Sequence, residues 1–392
     1  MTSVDRWLLP DGVDEILPPE AERLELTRRR LLDHFVGWGY DYVIPPMIEF
    51  LESLLTGTGS DLDLKTFKLT DQLSGRMLGI RADITPQVAR MDAHSLPVEG
   101  VQRLCYAGTV LHTRPDHMLA SRAPIKVGAE LFGDTGTSGD LEIVSLMLDS
   151  LLQYSLPSLN LELGDVGIFR LLQQKAGLEP TEEQRLFDLI QQKSADLGTA
   201  LLALEVPSNL SDQLVQLPTL TGDESVLQRA GQVFADFPAV LERLKNTRKL
   251  AAAIQERFPA VNIHFDLSEL RGFAYHTGLV FACYDQSGLL LARGGRYDHV
   301  GEVFGRARGA TGFDVDVKTL VRCESAETIE SKRVKVAPRT GDALQRFQAM
   351  QQYRQQGYRV IETDDSSLAD FDFELVLDDQ DWLLQPLKGS EK

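Results

Sequence analysis

A chain of 392 residues exceeds the usual single domain, so two or three units are expected and a full core can be buried. Its 43% hydrophobic content is ordinary for a globular protein, and no apolar run approaches the roughly 20 residues needed to span a bilayer, which excludes a helical membrane protein. The formal charge of −18 argues against a long nucleic acid as partner, because such binding rests on Lys and Arg neutralising phosphates.

The first residues, MTSVDRWLLPDGVDE, carry acids and a proline where a secretory signal would have a basic end and an apolar core, so a cytoplasmic protein is expected. From Glu20 to Gly37, Leu24, Leu31, Leu32, Phe35 and Val36 recur at helical spacing, and Pro18 and Pro19 precede them: an amphipathic helix. GYDYVIPPMIEF reads as a short strand broken by Pro45 and Pro46, which suit an edge or an interface. Asp140 to Gln153 reads as a further helix and LNLELG as a strand. Helix-like segments then dominate from Asp165 to Phe258, which reads as an inserted helical subdomain (165–260). VNIHFDL, GFAYHTGLVFACYD and GLLLARGG follow as strands, the last two joined by a turn at Asp285 to Gly288. CESAETIESK reads as a linker, after which RVKVAP, a helix carrying Leu344, Phe347, Met350 and Tyr353, YRVIE and FELVL form a small α/β unit. The predicted domains are 1–325 and 326–392. Cys105, Cys283 and Cys323 are odd in number and far apart, which argues against disulfides and against a cysteine zinc site. The histidines show no metal-ligand spacing, and no metal is expected.

The chemistry concentrates in IRADITPQVARMDAH (Ile80 to His94) and in the strand from Ile125 to Phe132. In that strand Ile125, Val127, Ala129 and Leu131 alternate with Lys126, Gly128, Glu130 and Phe132. Lys126 and Glu130 share a face across Gly128, a cation and an anion flanking open space about 13 Å of backbone apart. A surface strand with two solvated charges would look the same. Asp83 adds a second carboxylate, so groups for an ammonium, a carboxylate and a polar side chain are all present, as a free amino acid requires.

These stretches carry a resemblance. Arg81-Ala82-Asp83-Ile84-Thr85 is similar to the Arg-Pro-Glu-Gly-Thr run of histidyl-tRNA synthetase, and YAGTVLHTRP with KVGAELFG resembles that enzyme's class II motif 2. LRGFAYHTGLVF (Leu270 to Phe281) resembles its histidine-specific segment, and RGGRYDHV the turn that follows. The likeness runs from LPDGVDEILPPE to about Leu320. It implies an α+β fold: a class II aminoacyl-tRNA synthetase-like antiparallel sheet flanked by helices, with the helical insertion and a shortened anticodon-binding-like remnant at 326–392. It also implies that the first helix and strand form the homodimer contact, although an ordinary helix-strand pair at a domain edge fits the residues equally. The histidine-binding residues it implies are Asp83, Thr85, Lys126, Glu130, Arg271 and Tyr275. His276 reads equally as a satisfied strand histidine.

The nucleotide side departs from the enzyme. The motif 2 arginine is His112, and the glutamate two residues on is Arg114, which shares its face if the strand continues. In motif 3 the nucleotide-binding arginine is Thr319 and a glycine is Asp316, which adds bulk and negative charge where phosphates should lie. Between Glu362 and Asp381 the final unit has many acids and no Lys or Arg, the wrong chemistry for an RNA backbone. The pattern resembles the regulatory subunit family of ATP phosphoribosyltransferase, the paralogues of histidyl-tRNA synthetase in histidine biosynthesis. The resemblance implies no catalytic residues and no cofactor, a short-form catalytic subunit as partner in a hetero-oligomer, histidine as feedback effector, and no nucleic acid. A divergent active synthetase is the alternative, and would need cations at the ATP site.

Overall fold

The computed structural model describes residues 8–56, 60–115, 120–270, 272, 275–324, 332–364, 371–379 and 381–387. Two compact units divide the chain, Met1–Ser325 and Ala326–Lys392.

The first unit starts with the predicted helix α1 (Glu20–Gly37), which buries Leu24, Leu31, Leu32 and Phe35 and leaves Val36 exposed. Strand β1 (Asp41–Tyr42) follows, and beyond the two prolines β2 (Ile48–Phe50). After α2 (Leu51–Leu55) and α3 (Ser60–Lys65) come β3 (Phe67–Thr70), β4 (Met77–Ile80) and α4 (Thr85–Arg90). Strands β2, β4 and β3 make a small antiparallel sheet, in which β2 is the end of the predicted GYDYVIPPMIEF strand beyond the prolines, and hydrophobic alternation did not reveal β3 and β4.

A nine-stranded sheet carries the rest. It uses β5 (Gln102–Thr109), β6 (Ile125–Phe132), β7 (Asn160–Asp165), β8 (Thr221–Gly222), β9 (Asn262–Asp266), β10 (Leu279–Tyr284), β11 (Leu290–Arg296) and β12 (Ala310–Asp316) in the order β1-β5-β6-β12-β11-β10-β7-β9-β8. It is antiparallel from β5 through β7, with parallel pairs at β1/β5 and β7/β9. Alternation gives it two unlike faces. Val127, Ala129, Leu131, Phe313 and Val315 face one core together with α1 and helix α5 (Thr137–Leu151), where the rings of Phe35 and Phe313 meet edge on at 5.5 Å. Leu104, Tyr106, Phe132 and Tyr297 gather with Ile84 and Val88 in a second cluster around the start of α4.

Between β7 and β9 run α6 (Val166–Ala176), α7 (Pro180–Gln191), α8 (Leu197–Ala203), α9 (Ser208–Gln216), α10 (Ser225–Val233) and α11 (Pro238–Arg257). Asp165 caps α6 by accepting from the Gly167 amide, and Gly177 in the left-handed region ends it. The stretch 181–204 holds two helices, parted where Lys193 takes a φ of 49°. Among the described residues of GFAYHTGLVFACYD only Leu279–Tyr284 is strand; Gly272 adopts a φ of 70°, and Tyr275 and His276 turn back with their amides on its carbonyl. Helix α12 (Val317–Cys323) follows β12, and among the described residues no helix is long and apolar enough to cross a membrane.

The second unit has β13 (Arg333–Val336), α13 (Ala343–Gln355), β14 (Arg359–Glu362), β15 (Phe373–Asp378) and β16 (Asp381–Pro386), in sheet order β14-β13-β15-β16. Val334, Val336, Ala349, Met350, Val360 and Leu375 form its core, whereas Leu344 and Phe347 of α13 are exposed. Strand β16 went unpredicted because its charges and its proline mask a short edge strand.

Candidate functional site

Strand register builds the site in rows on the sheet face that carries Tyr106. Lys126 lies opposite Gly108 on one side and Asp316 on the other. Gly128 lies opposite Tyr106 and Asp314, with Arg293 next beyond Asp314. Glu130 lies opposite Leu104 and Gly312. The gap expected at Gly128 is occupied: a Cβ there would collide with the Tyr106 hydroxyl and ring. A Cβ at Gly312 would likewise fall on the Glu130 carboxylate. These two glycines make room for the polar groups of the site.

Glu130, 1% exposed, is its centre. Its Oε1 accepts from the Thr85 hydroxyl at 2.8 Å and the Tyr106 hydroxyl at 3.2 Å, and its Oε2 accepts from the Tyr297 hydroxyl. Burial pushes its carboxyl up to about 8; the hydroxyls of Tyr297, Thr85 and Tyr106 oppose the rise, and Asp83 adds to it. Asp83 stands at the start of α4, where its Oδ1 accepts from the amides of Ile84 at 2.6 Å and Thr85 at 3.3 Å. Its carboxyl is raised by burial and then by Asp314, against those two amides. Sequence reasoning thus brought Asp83, Thr85 and Glu130 together, and the structure adds Tyr106, Tyr297 and Asp314. All three phenols, Tyr106, Tyr275 and Tyr297, are held well above the ordinary value by burial first and neighbouring carboxylates second.

Tyr275 stacks on Tyr297 with centroids 5.4 Å apart and on His276 at 4.3 Å, which sets it over the same cluster. His276 is 9% exposed, and its carbonyl accepts from Arg170 at 2.8 and 3.1 Å; its ring packs where Cβ atoms on Gly272 or Gly295 would lie. Arg271 falls outside the described residues. Lys126 Nζ stands 2.6 Å from Asp314 Oδ1. The contact is a close ion pair, and Oδ1 is buried.

Neighbouring cations belong to the scaffold. Arg81 donates to the carbonyls of Thr109 and Pro45, both at 2.9 Å, through the space left by Gly108. Arg296 is buried and holds Asp140 at 2.9 Å, Asp298 at 3.0 Å and the carbonyls of Asp134 and Gly136 at 2.9 Å, fixing the backbone next to Tyr297. On the nucleotide side His112 is buried with Nε2 3.0 Å from the Ala82 carbonyl. Strand β5 ends at Thr109, so alternation does not set the face of Arg114, which is exposed. Asp316 caps α12, accepting from the amides of Lys318 and Thr319. Lys318 turns to Asp14 at 3.1 Å and Ser121 at 3.2 Å.

A buried carboxylate ringed by hydroxyls, a second carboxylate at a helix start and an antiparallel sheet beneath them define a class II histidyl-tRNA synthetase-like protein, and residues 12–320 match the family model described as histidyl-tRNA synthetase. A crystal structure of an ATP phosphoribosyltransferase regulatory subunit/histidyl-tRNA synthetase from Bacillus halodurans shares the fold with a TM-score of 0.81 at 24% identity, over 94% of this chain and 97% of that one. The ATP phosphoribosyltransferase regulatory subunit of Stutzerimonas stutzeri is 49% identical over 395 residues, 99% of this chain and 100% of the relative. That of Thioalkalivibrio sulfidiphilus is 51% identical over 365 residues, 92% of each. The chain belongs to the ATP phosphoribosyltransferase regulatory subunit family.

Proposed function

We propose that this protein is a regulatory subunit with no catalysis of its own, which assembles with the short-form catalytic subunit of ATP phosphoribosyltransferase and conveys feedback inhibition by histidine. The observation that carries this reading is the contrast between the two halves of one sheet face. The amino-acid half keeps Asp83, Thr85, Glu130 and Tyr275 around a common point, with Lys126 at its edge. The nucleotide half has spent its groups internally, Asp316 on the α12 amides and Lys318 on Asp14. A triphosphate needs gathered cations, and among the described residues Asp316 and Lys318 of this half are engaged within the protein. Support for assembly comes from the family and from a solved relative of the same fold, the ATP phosphoribosyl transferase complex of Thermotoga maritima, with a TM-score of 0.58 at 18% identity over 77% of this chain and 98% of that one.

Tyr42, Ile44, Met47 and Ile48 are exposed along the β1 to β2 segment. In this reading they form the homodimer contact within the hetero-oligomer. The second unit is a shortened anticodon-binding-like remnant that no longer serves RNA. The experiment is co-purification with the catalytic subunit and assay of the transferase with and without histidine. Activation by the wild type, with feedback abolished but activation kept in Glu130→Gln, is expected. Full histidine sensitivity in Glu130→Gln would place the inhibitory site on the catalytic partner.

A further inference from the structure

Asp314 has no counterpart among the residues expected to bind the ligand, yet the sheet register sets it in the middle of them. It lies directly across from Gly128, whose place in the row the Tyr106 ring fills, and directly across from Arg293 on the other side. Its Oδ1 is buried and stands 2.6 Å from Lys126 Nζ. The side chains of Lys126 and Asp314 are 17% and 18% exposed, so neither is sealed in nor freely solvated. The pair is therefore reachable by a ligand and dry enough for its charges to matter.

An ammonium and a carboxylate in contact are what a free amino acid carries at its α-carbon. We propose that the Lys126–Asp314 pair is an internal stand-in for that zwitterion, and that the ligand binds by inserting into it: its ammonium goes to Asp314 and Asp83, its carboxylate to Lys126. The Lys126–Asp314 pair is given up, three pairs to the ligand are formed, and net charge is unchanged. Asp83 lies within electrostatic reach of Asp314, whose charge adds to the rise that burial gives the Asp83 carboxyl. The hydroxyl-ringed Glu130, one row further along the strand, is left for the polar side chain. Asp314 is then a specificity-determining residue, selecting ligands that bear both charges on one carbon over those that bear one.

This inference rests on the histidine reading above, and its test separates the two. Calorimetry on the full-length protein would use L-histidine, its decarboxylated amine histamine, and its deaminated acid imidazole-4-propionate. Asp314→Asn should weaken histidine by about thirtyfold or more, the usual effect of leaving a ligand charge unpaired in a desolvated site. The same variant should bind imidazole-4-propionate more tightly than the wild type does, because Lys126 is no longer engaged. Lys126→Met should show the mirror image, weaker histidine and tighter histamine. A merely structural pair would weaken all three ligands together in both variants, and that result would overturn the inference. Histidine binding unchanged in Asp314→Asn would overturn it while sparing the histidine reading. A wild type that does not bind histidine would remove both. Should Asp314→Asn fail to fold, the Lys126→Met arm alone decides, since tighter histamine binding there is required.

Discussion

Glu130→Gln tests the electrostatics of the site without a ligand. Glutamine keeps the shape of the side chain, and the hydroxyls of Thr85, Tyr106 and Tyr297 can rotate to donate to its oxygen or accept from its amide. What it removes is a carboxyl raised from 4.5 to about 8, by burial above all. A raised carboxyl means that the folded state holds its proton more tightly than the unfolded chain. Stability from this group is therefore complete below the unfolded value and is lost as pH climbs from about 4.5 to about 8. The full loss is about 5 kcal/mol, from 1.36 kcal/mol for each pH step. Buried carboxyls away from Glu130, such as Asp140, titrate in both proteins and cancel in the difference. Urea unfolding of wild type and variant at intervals from pH 5 to pH 9 should show the variant gaining by roughly 1.4 kcal/mol per pH unit and levelling off above pH 8. A stability difference independent of pH would refute the reasoning. It would mean that the three hydroxyls outweigh burial and keep Glu130 ionised throughout.

Arg296→Met leaves Asp140 buried and unpaired and releases two carbonyls, and should cost about 3 to 5 kcal/mol in thermal or urea unfolding; a loss under 1 kcal/mol would show that the guanidinium is dispensable to the scaffold. Gly312→Ala places a methyl on the Glu130 carboxylate, and should destabilise by about 1 to 3 kcal/mol and abolish histidine binding in calorimetry. Retained binding would show that Glu130 can move away without loss. Histidine-dependent pyrophosphate exchange should be absent in the isolated protein, because Asp316 and Lys318 are committed within it; exchange at enzyme-like rates would restore the synthetase alternative.

The sequence carried the long helix α1 to its residue bounds because a regular apolar stripe between Pro19 and Gly37 leaves no competing reading. It carried Glu130 and Lys126 because strand alternation fixes which residues share a face. It could not show what fills the space between them. Tyr106 enters across β5 and Tyr297 from beyond β11, and both depend on pairing register, which is a long-range property. Short elements were lost for a related reason: β3 and β4 hold four residues each, too few for a period to be read. The break at Lys193 was hidden because a positive φ at a lysine has no compositional signal.

Strand β12 shows how one alternation can set both what the pocket accepts and what it refuses. Gly312, Asp314 and Asp316 occupy successive positions on its site face. Gly312 yields its volume to the Glu130 carboxylate. Asp314 sits against Lys126. Asp316 turns its carboxylate to the first amides of α12, groups that would otherwise be available to an anion. A phosphate arriving there would meet a carboxylate in the place of open donors, and at close range like charges repel more strongly than a distant lysine could compensate. The same substitutions that spoil the strand for a nucleotide therefore enrich it in the negative charge that an ammonium group needs. In the proposed function, loss of one ligand and retention of the other would both follow from a single face of a single strand.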